Sequence, residues 1–221
     1  MRLLHPYMLC AAIASAQAAS EIHVYEYEPR SFGSFTYEAH RNYGNRFQVS
    51  SEVTAGITEQ FRIAAVALTS DNLHYEGFHS LPHFYAPASW RRPVRAGFVA
   101  EFGFERNIPR HVELRPILEK HLGRLEMDVN PVATHVFTHH SGWVFEPAAR
   151  MGWEAADLIT PSLEYYGSLS NAPTHQLYLG ADLHLPKHIT WNLGLGFGIT
   201  DNGSRVIWKS RMEFEFGRRH R

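Results

Sequence analysis

The 221-residue chain has one cysteine, Cys10, and almost no net charge. It also has no run of about 18 consecutive apolar residues, the length a membrane helix requires. Each lack removes a class. A lone cysteine near the N-terminus excludes an internal disulfide framework and a cysteine-based metal knuckle. Without a long apolar run no helix can cross a bilayer, and a mean hydropathy of −0.29 agrees. A net charge of −1 and the absence of a basic run leave no electrostatic footprint for nucleic acid. One membrane architecture survives these exclusions: a β-barrel, in which only alternate residues of each strand need be apolar.

The beginning reads as a targeting segment. Arg2 supplies a positive start, Leu3 to Ile13 is mostly apolar and short, and Ala16-Gln17-Ala18 is an A-x-A cleavage site. Residues 1–18 are therefore expected to be a signal peptide that is removed, Cys10 with it. The mature chain would have no thiol chemistry.

What is present in abundance is alternation. From Ile189 to Thr200 odd positions are large and apolar, and even positions are small or polar. Asp201-Asn202-Gly203-Ser204 then supplies a turn. Beyond it Val206, Trp208, Met212, Phe214 and Phe216 share one face, and Lys209, Arg211, Glu213 and Glu215 the other. Globular strands average about 5–6 residues, whereas membrane-spanning ones need about 9–11. These run at the longer length. The same pattern recurs along the chain, for example at Ala96–Phe104, Val112–Leu118 and Leu177–Leu185. The expected fold is all-β: a transmembrane antiparallel up-and-down β-barrel of about 12 strands over residues 34–217, closed because an even count completes a meander. Residues 19–33 are expected as a periplasmic lead-in and 218–221 as a basic tail. Pro116, Pro131, Pro147 and Pro161 fall one each in four successive strands on the expected lipid face. They mark either strand ends and bulges or a seam where the wall bends.

If the apolar face meets lipid, the polar face lines a lumen. Acids outnumber bases there. Glu101, Glu113, Arg115, Glu146, Arg150, Glu164, Arg211 and Glu213 are the expected lumen network. Such a network either fills a narrow barrel or lines a cation-preferring pore. The sequence contains fifteen histidines, fourteen after removal of His5 with the signal peptide. No cysteine or H-E-x-x-H helix accompanies them, so they read as surface histidines and no metal or cofactor is expected. The His140-Ser141-Gly142 stretch is similar to the His-x-Ser-Asn-Gly stretch of outer-membrane phospholipase A, without its Asn and without a second matching motif. Catalytic residues are therefore expected to be none.

Four stretches carry a resemblance: Glu164-Tyr165-Tyr166-Gly167, His175-Gln176-Leu177-Tyr178, Trp191-Asn192 through Gly196-Phe197-Gly198-Ile199-Thr200, and Glu213-Phe214-Glu215-Phe216-Gly217. With them the chain resembles a broad set of transporter-like bacterial outer-membrane β-barrels, near the "MetA-pathway of phenol degradation" group. The resemblance implies a barrel in a Gram-negative outer membrane that moves small molecules, and it carries over no site residues. Barrels of this kind usually end on an aromatic residue, whereas here Phe216 is followed by Gly217 and a basic tail. The expected function is passive transport of a small solute by a monomer. Its partners would be outer-membrane lipid, the solute and the barrel-assembly machinery. The alternatives are a soluble periplasmic barrel or sandwich that binds a ligand, and a phospholipase-like lipid hydrolase.

Overall fold

The computed structural model describes residues 22–29, 35–43, 47–70, 74–87, 89–90, 93–138, 142–170, 173–186, 188–200 and 206–216. Twelve strands follow one another: β1 (Phe35–Tyr43), β2 (Phe47–Gly56), β3 (Phe61–Ser70), β4 (Tyr75–Tyr85), β5 (Arg95–Glu105), β6 (His111–Leu122), β7 (Leu125–Val136), β8 (Trp143–Trp153), β9 (Ile159–Ser168), β10 (Thr174–Leu185), β11 (Ile189–Gly198) and β12 (Val206–Phe216). Each pairs antiparallel with the next. β1 also pairs with β12, from Phe35↔Phe216 to Tyr43↔Trp208, so the sheet is a closed barrel. Closure leaves no free edge for long strands with apolar faces to aggregate along. A two-sheet sandwich is excluded by this single ring.

Burial is inverted relative to a water-soluble protein. In β7 Asp128, Asn130, Val132 and Thr134 are buried, while Met127 and Val129 are exposed. In β12 Lys209, Arg211 and Glu213 are buried, while Val206, Trp208 and Phe216 are exposed. Period two puts charges inside and aliphatic and aromatic side chains outside. An outer surface of Val53, Ile63, Phe102, Phe104, Leu179, Leu195 and Phe197 would be an aggregating patch in water and is at home in hydrocarbon.

Connections are short. β6 and β7 meet at Gly123, whose φ of +65° is a left-handed conformation that glycine adopts without a Cβ clash. The four mid-chain prolines point outward, between inward neighbours. Pro116, Pro131 and Pro147 lie within β6, β7 and β8 rather than at their ends, and Pro161 is the third residue of β9. Pro131 pairs with Pro147 across the β7–β8 ladder. Between β6 and β7 the register runs to Leu114↔Ala133 and resumes at Leu118↔Val129. The break falls at Pro116 and Pro131, where a missing N–H cannot donate to the ladder.

Candidate functional site: the lumen and the segment inside it

Residues 22–29, expected as a lead-in, lie inside the barrel. Ile22, Val24 and Tyr25 are among the most deeply buried residues of the chain. Glu28 sits beside Arg62 near the end of the barrel where β1 begins, 3.4 Å from its guanidinium. Ile22 reaches the other half, packing with Tyr178 and Ile207. Eight residues at an extended rise of about 3.3 Å each cover about 26 Å. Strands of this length, tilted by about 35–45°, give a wall of comparable height. The segment therefore runs through most of the lumen.

Wall side chains on every side hold it. Asn130, fully buried, accepts a hydrogen bond from the Tyr25 N–H at 2.7 Å and donates one to the Tyr25 carbonyl at 3.0 Å. One side-chain amide thus satisfies both backbone polar groups of a residue that has no strand partner. The Tyr25 ring lies under the Arg115 guanidinium, 4.4 Å away, and tilts against His83. The Tyr27 N–H donates to Glu119 at 2.9 Å, and the Tyr27 hydroxyl donates to the Ala86 carbonyl. Glu26 meets Arg150 at 3.5 Å, and His23 meets Arg211.

The inner wall has two characters. Across β3 to β6 its middle is apolar, where Ala64, Val66, Leu68, Leu81, Tyr85, Val99 and Ile117 form one cluster with Tyr25, bordered by buried polar groups such as Arg62, His79, Glu101 and Arg115. Across β7 to β12 it is ionic. Arg150 is the hub, with Glu126 at 3.4 Å, Asp128 at 3.3 Å, Glu26, and Asp182 as its partners. Asn192 donates to Asp182, and Lys209 pairs with Glu164, whose second partner is the Tyr166 hydroxyl. The inward glycines of β11 make this possible. A Cβ at Gly196 would strike the Tyr178 ring at 2.3 Å, and one at Gly194 would crowd the Lys209 stem at 3.0 Å.

The eight expected lumen residues all face inward, but they do not form one network. Arg115 holds Glu113 at 2.7 Å and approaches Glu101 at 3.7 Å. Glu146 accepts from Thr134 at 2.6 Å. Arg150, Glu164 and Arg211 belong to the ionic wall, each with a separate partner. Glu213 lines the mouth at which β12 ends. Sequence reading put Asn130 and Arg62 on the polar face without giving them a role, and it did not place His79, His83 or His111 there; all five are buried in the lumen. Three of these are histidines that had been read as surface residues. On β4 His79 and His83 share their face with Leu81 and Tyr85, so no polar face announced them, whereas His111 stands one step before Glu113 and Arg115 on the polar face of β6. His139, His140 and Ser141 lie outside the described residues.

At the mouth where β1 begins and β12 ends, a cavity of about 870 Å³ opens between the segment and the wall. Eight carboxylates line it, including Glu26, Glu126, Asp182 and Glu213, against three arginines, Arg124, Arg150 and Arg211. The unbalanced charge gives this vestibule a field that attracts cations.

No family model matches the chain, and no curated protein does. Solved structures do match by fold. A KdgM porin superposes with a TM-score of 0.68 at 4% identity, covering 82% of this chain and 99% of that one. The KdgM porin in complex with disordered oligogalacturonate gives 0.65 at 6% identity, over 82% and 99%. A NanC porin gives 0.61 at 7% identity, over 84% and 100%. The likeness is one of fold: a closed antiparallel β-barrel similar to those of these porins.

Proposed function

We propose that the protein is a passive, non-enzymatic channel for small cationic or neutral solutes, which conducts when residues 22–29 leave the lumen. The observation that carries this reading is the surplus of carboxylates over arginines at the vestibule and along the ionic wall. Oligogalacturonate, the ligand of one KdgM structure, is a polyanion. A carboxylate-lined vestibule would repel such a cargo, so the shared fold supports a channel and the charge supports a different solute. The stretches that carry the resemblance to the "MetA-pathway of phenol degradation" group lie on β9 to β12, where Glu164, Asn192 and Glu213 face the lumen, and they specify no cargo. In this reading the barrel's first and last strand ends, at β1 and β12, face the periplasm, and the barrel works as a monomer delivered by the assembly machinery.

The test is planar-bilayer recording under a KCl gradient, with the chain beginning at Ala19 and with a variant lacking residues 19–29. The expected result is rare openings for the first and sustained, cation-selective steps for the second. A folded, inserted variant that is silent, or one that prefers anions, would overturn the reading.

A further inference from the structure

The second cluster of titratable side chains lies apart from the vestibule, near the opposite mouth, and has a geometry of its own. Gly103 of β5 is the register partner of His79 on β4 and of His111 on β6. The two imidazoles thus flank a position with no side chain. A Cβ on Gly103 would fall 2.0 Å from the His111 ring, so that ring occupies the space the glycine leaves. Along β5 the neighbouring inward residues are Glu101 on one side and Glu105 on the other, in the run Glu101-Phe102-Gly103-Phe104-Glu105. Glu105 in turn fills the space above Gly77, its own partner, where a Cβ would meet its Cγ at 2.6 Å. Two histidines and two glutamates therefore converge on one small region of inner wall.

The distances suit coordination. His79 Nδ1 is 2.7 Å from Glu101, and His79 Nε2 is 3.1 Å from Glu105. His79, Glu105 and His111 each offer a ligand atom within 4.8 Å of the other two. The rings stand nearly perpendicular, at 88°, with centroids 5.2 Å apart. A tetrahedral metal with ligand bonds of about 2.0 Å needs ligand atoms about 3.3 Å apart. One pair already has that spacing, and small side-chain rotations would close the others. A second observation points to a missing ligand. His111, only 3% exposed, has no hydrogen-bond partner for Nδ1 among the described residues. Arg115 pairs with Glu113 at 2.7 Å and approaches Glu101 only at 3.7 Å.

We infer that His79, through Nε2, with His111 and Glu105 forms a three-ligand binding site for a first-row divalent transition metal, Zn²⁺ being the best match to two imidazoles and a carboxylate, while Glu101 on His79 Nδ1 orients that ring from behind. The site sits on the wall beneath the loop joining β5 to β6 and is independent of the channel reading.

The test is Zn²⁺ titration by calorimetry, with Co²⁺ absorption spectra as a geometric readout, on the untagged refolded chain beginning at Ala19. One equivalent should bind, and Co²⁺ should give the intense visible bands of a tetrahedral site. His79→Gln and His111→Gln should each weaken binding by about tenfold or more. His184→Gln, on β10 and bonded to Thr160, should leave it unchanged. Where a variant fails to fold, as judged by unheated gel mobility, Glu105→Gln provides the remaining ligand test. The inference is overturned if the folded wild type binds no metal, or if the His79→Gln/His111→Gln double variant binds as tightly as wild type.

Discussion

Replacing Asn130 by leucine should release the lumen segment without disturbing the barrel. Asn130 is the only described side chain that bonds both backbone groups of Tyr25. Leucine has nearly the same size and no polar atom, so the docked segment would hold a buried N–H and a buried C=O without partners. Each such group costs about 1–3 kcal/mol. Leucine's added apolar contact with the Tyr25 ring returns about 1–2 kcal/mol. The net loss of docking is about 0–5 kcal/mol, with a midpoint of about 2.5 kcal/mol or about 70-fold in the ratio of docked to released segment. The released state has water in place of these partners and loses little, so the change falls on docking itself. A mature chain beginning at Ala19 contains no cysteine. A Val24→Cys change would then give one thiol at a position 2% exposed. Its labelling by a hydrophilic maleimide measures the released population when docking is fast relative to labelling. The Asn130→Leu background should label faster by that midpoint, about 70-fold. Equal rates in the two backgrounds, with both barrels folded, would show that Asn130 does not hold the segment.

Arg150→Met should be among the most damaging single changes, because it leaves Glu26, Glu126, Asp128 and Asp182 clustered without their shared cation. Loss of a buried partner costs about 3–5 kcal/mol, which urea-induced unfolding in detergent would detect. Lys209→Met should cost a similar amount by stranding Glu164, and the Lys209→Met/Glu164→Gln double variant should recover part of it. A double variant no more stable than Lys209→Met would refute that pairing. In the chain lacking residues 19–29, Glu126→Gln and Glu213→Gln should reduce cation preference, read as a shift in reversal potential toward zero.

The wall was legible because lipid and lumen impose opposite polarities on alternate residues. Ile189–Gly198 and Val206–Phe216 show this most cleanly, their inward positions being only glycine, polar or charged apart from Ile207. β4 was harder to read. Its Leu81 and Tyr85 alternate with Phe78 and Phe84 on opposite faces, so both faces are apolar there and period two gives no contrast. The segment at 22–29 was illegible for a related reason. A strand has two faces, but a chain inside a barrel meets wall on all sides. Ile22 and Val24 pack among lumen residues, His23 and Glu26 find charges, and Tyr25 and Tyr27 use ring and backbone together. Period-two analysis sees no pattern there because the environment has none.

The apolar half of the inner wall gives that segment its purpose in the fold. Ala64, Val66, Leu68, Leu81, Val99 and Ile117 point inward, although an aqueous pore would favour polar residues at those positions. They are explained by what covers them: Tyr25 completes their cluster, and Tyr27 packs at its edge. Withdrawing the segment would wet this surface, which opposes opening through the hydrophobic effect. The ionic half behaves differently, since Lys209–Glu164 and Arg150–Asp182 are wall-to-wall pairs that survive withdrawal. The barrel can therefore keep its shape with the segment gone, while β3 to β6 supply the force that draws it back. Polar replacement of that surface, as in Leu81→Ser, should weaken docking and raise maleimide labelling of the Val24→Cys chain. A folded Leu81→Ser barrel that still protects the thiol as well as its parent would remove the apolar wall from this account.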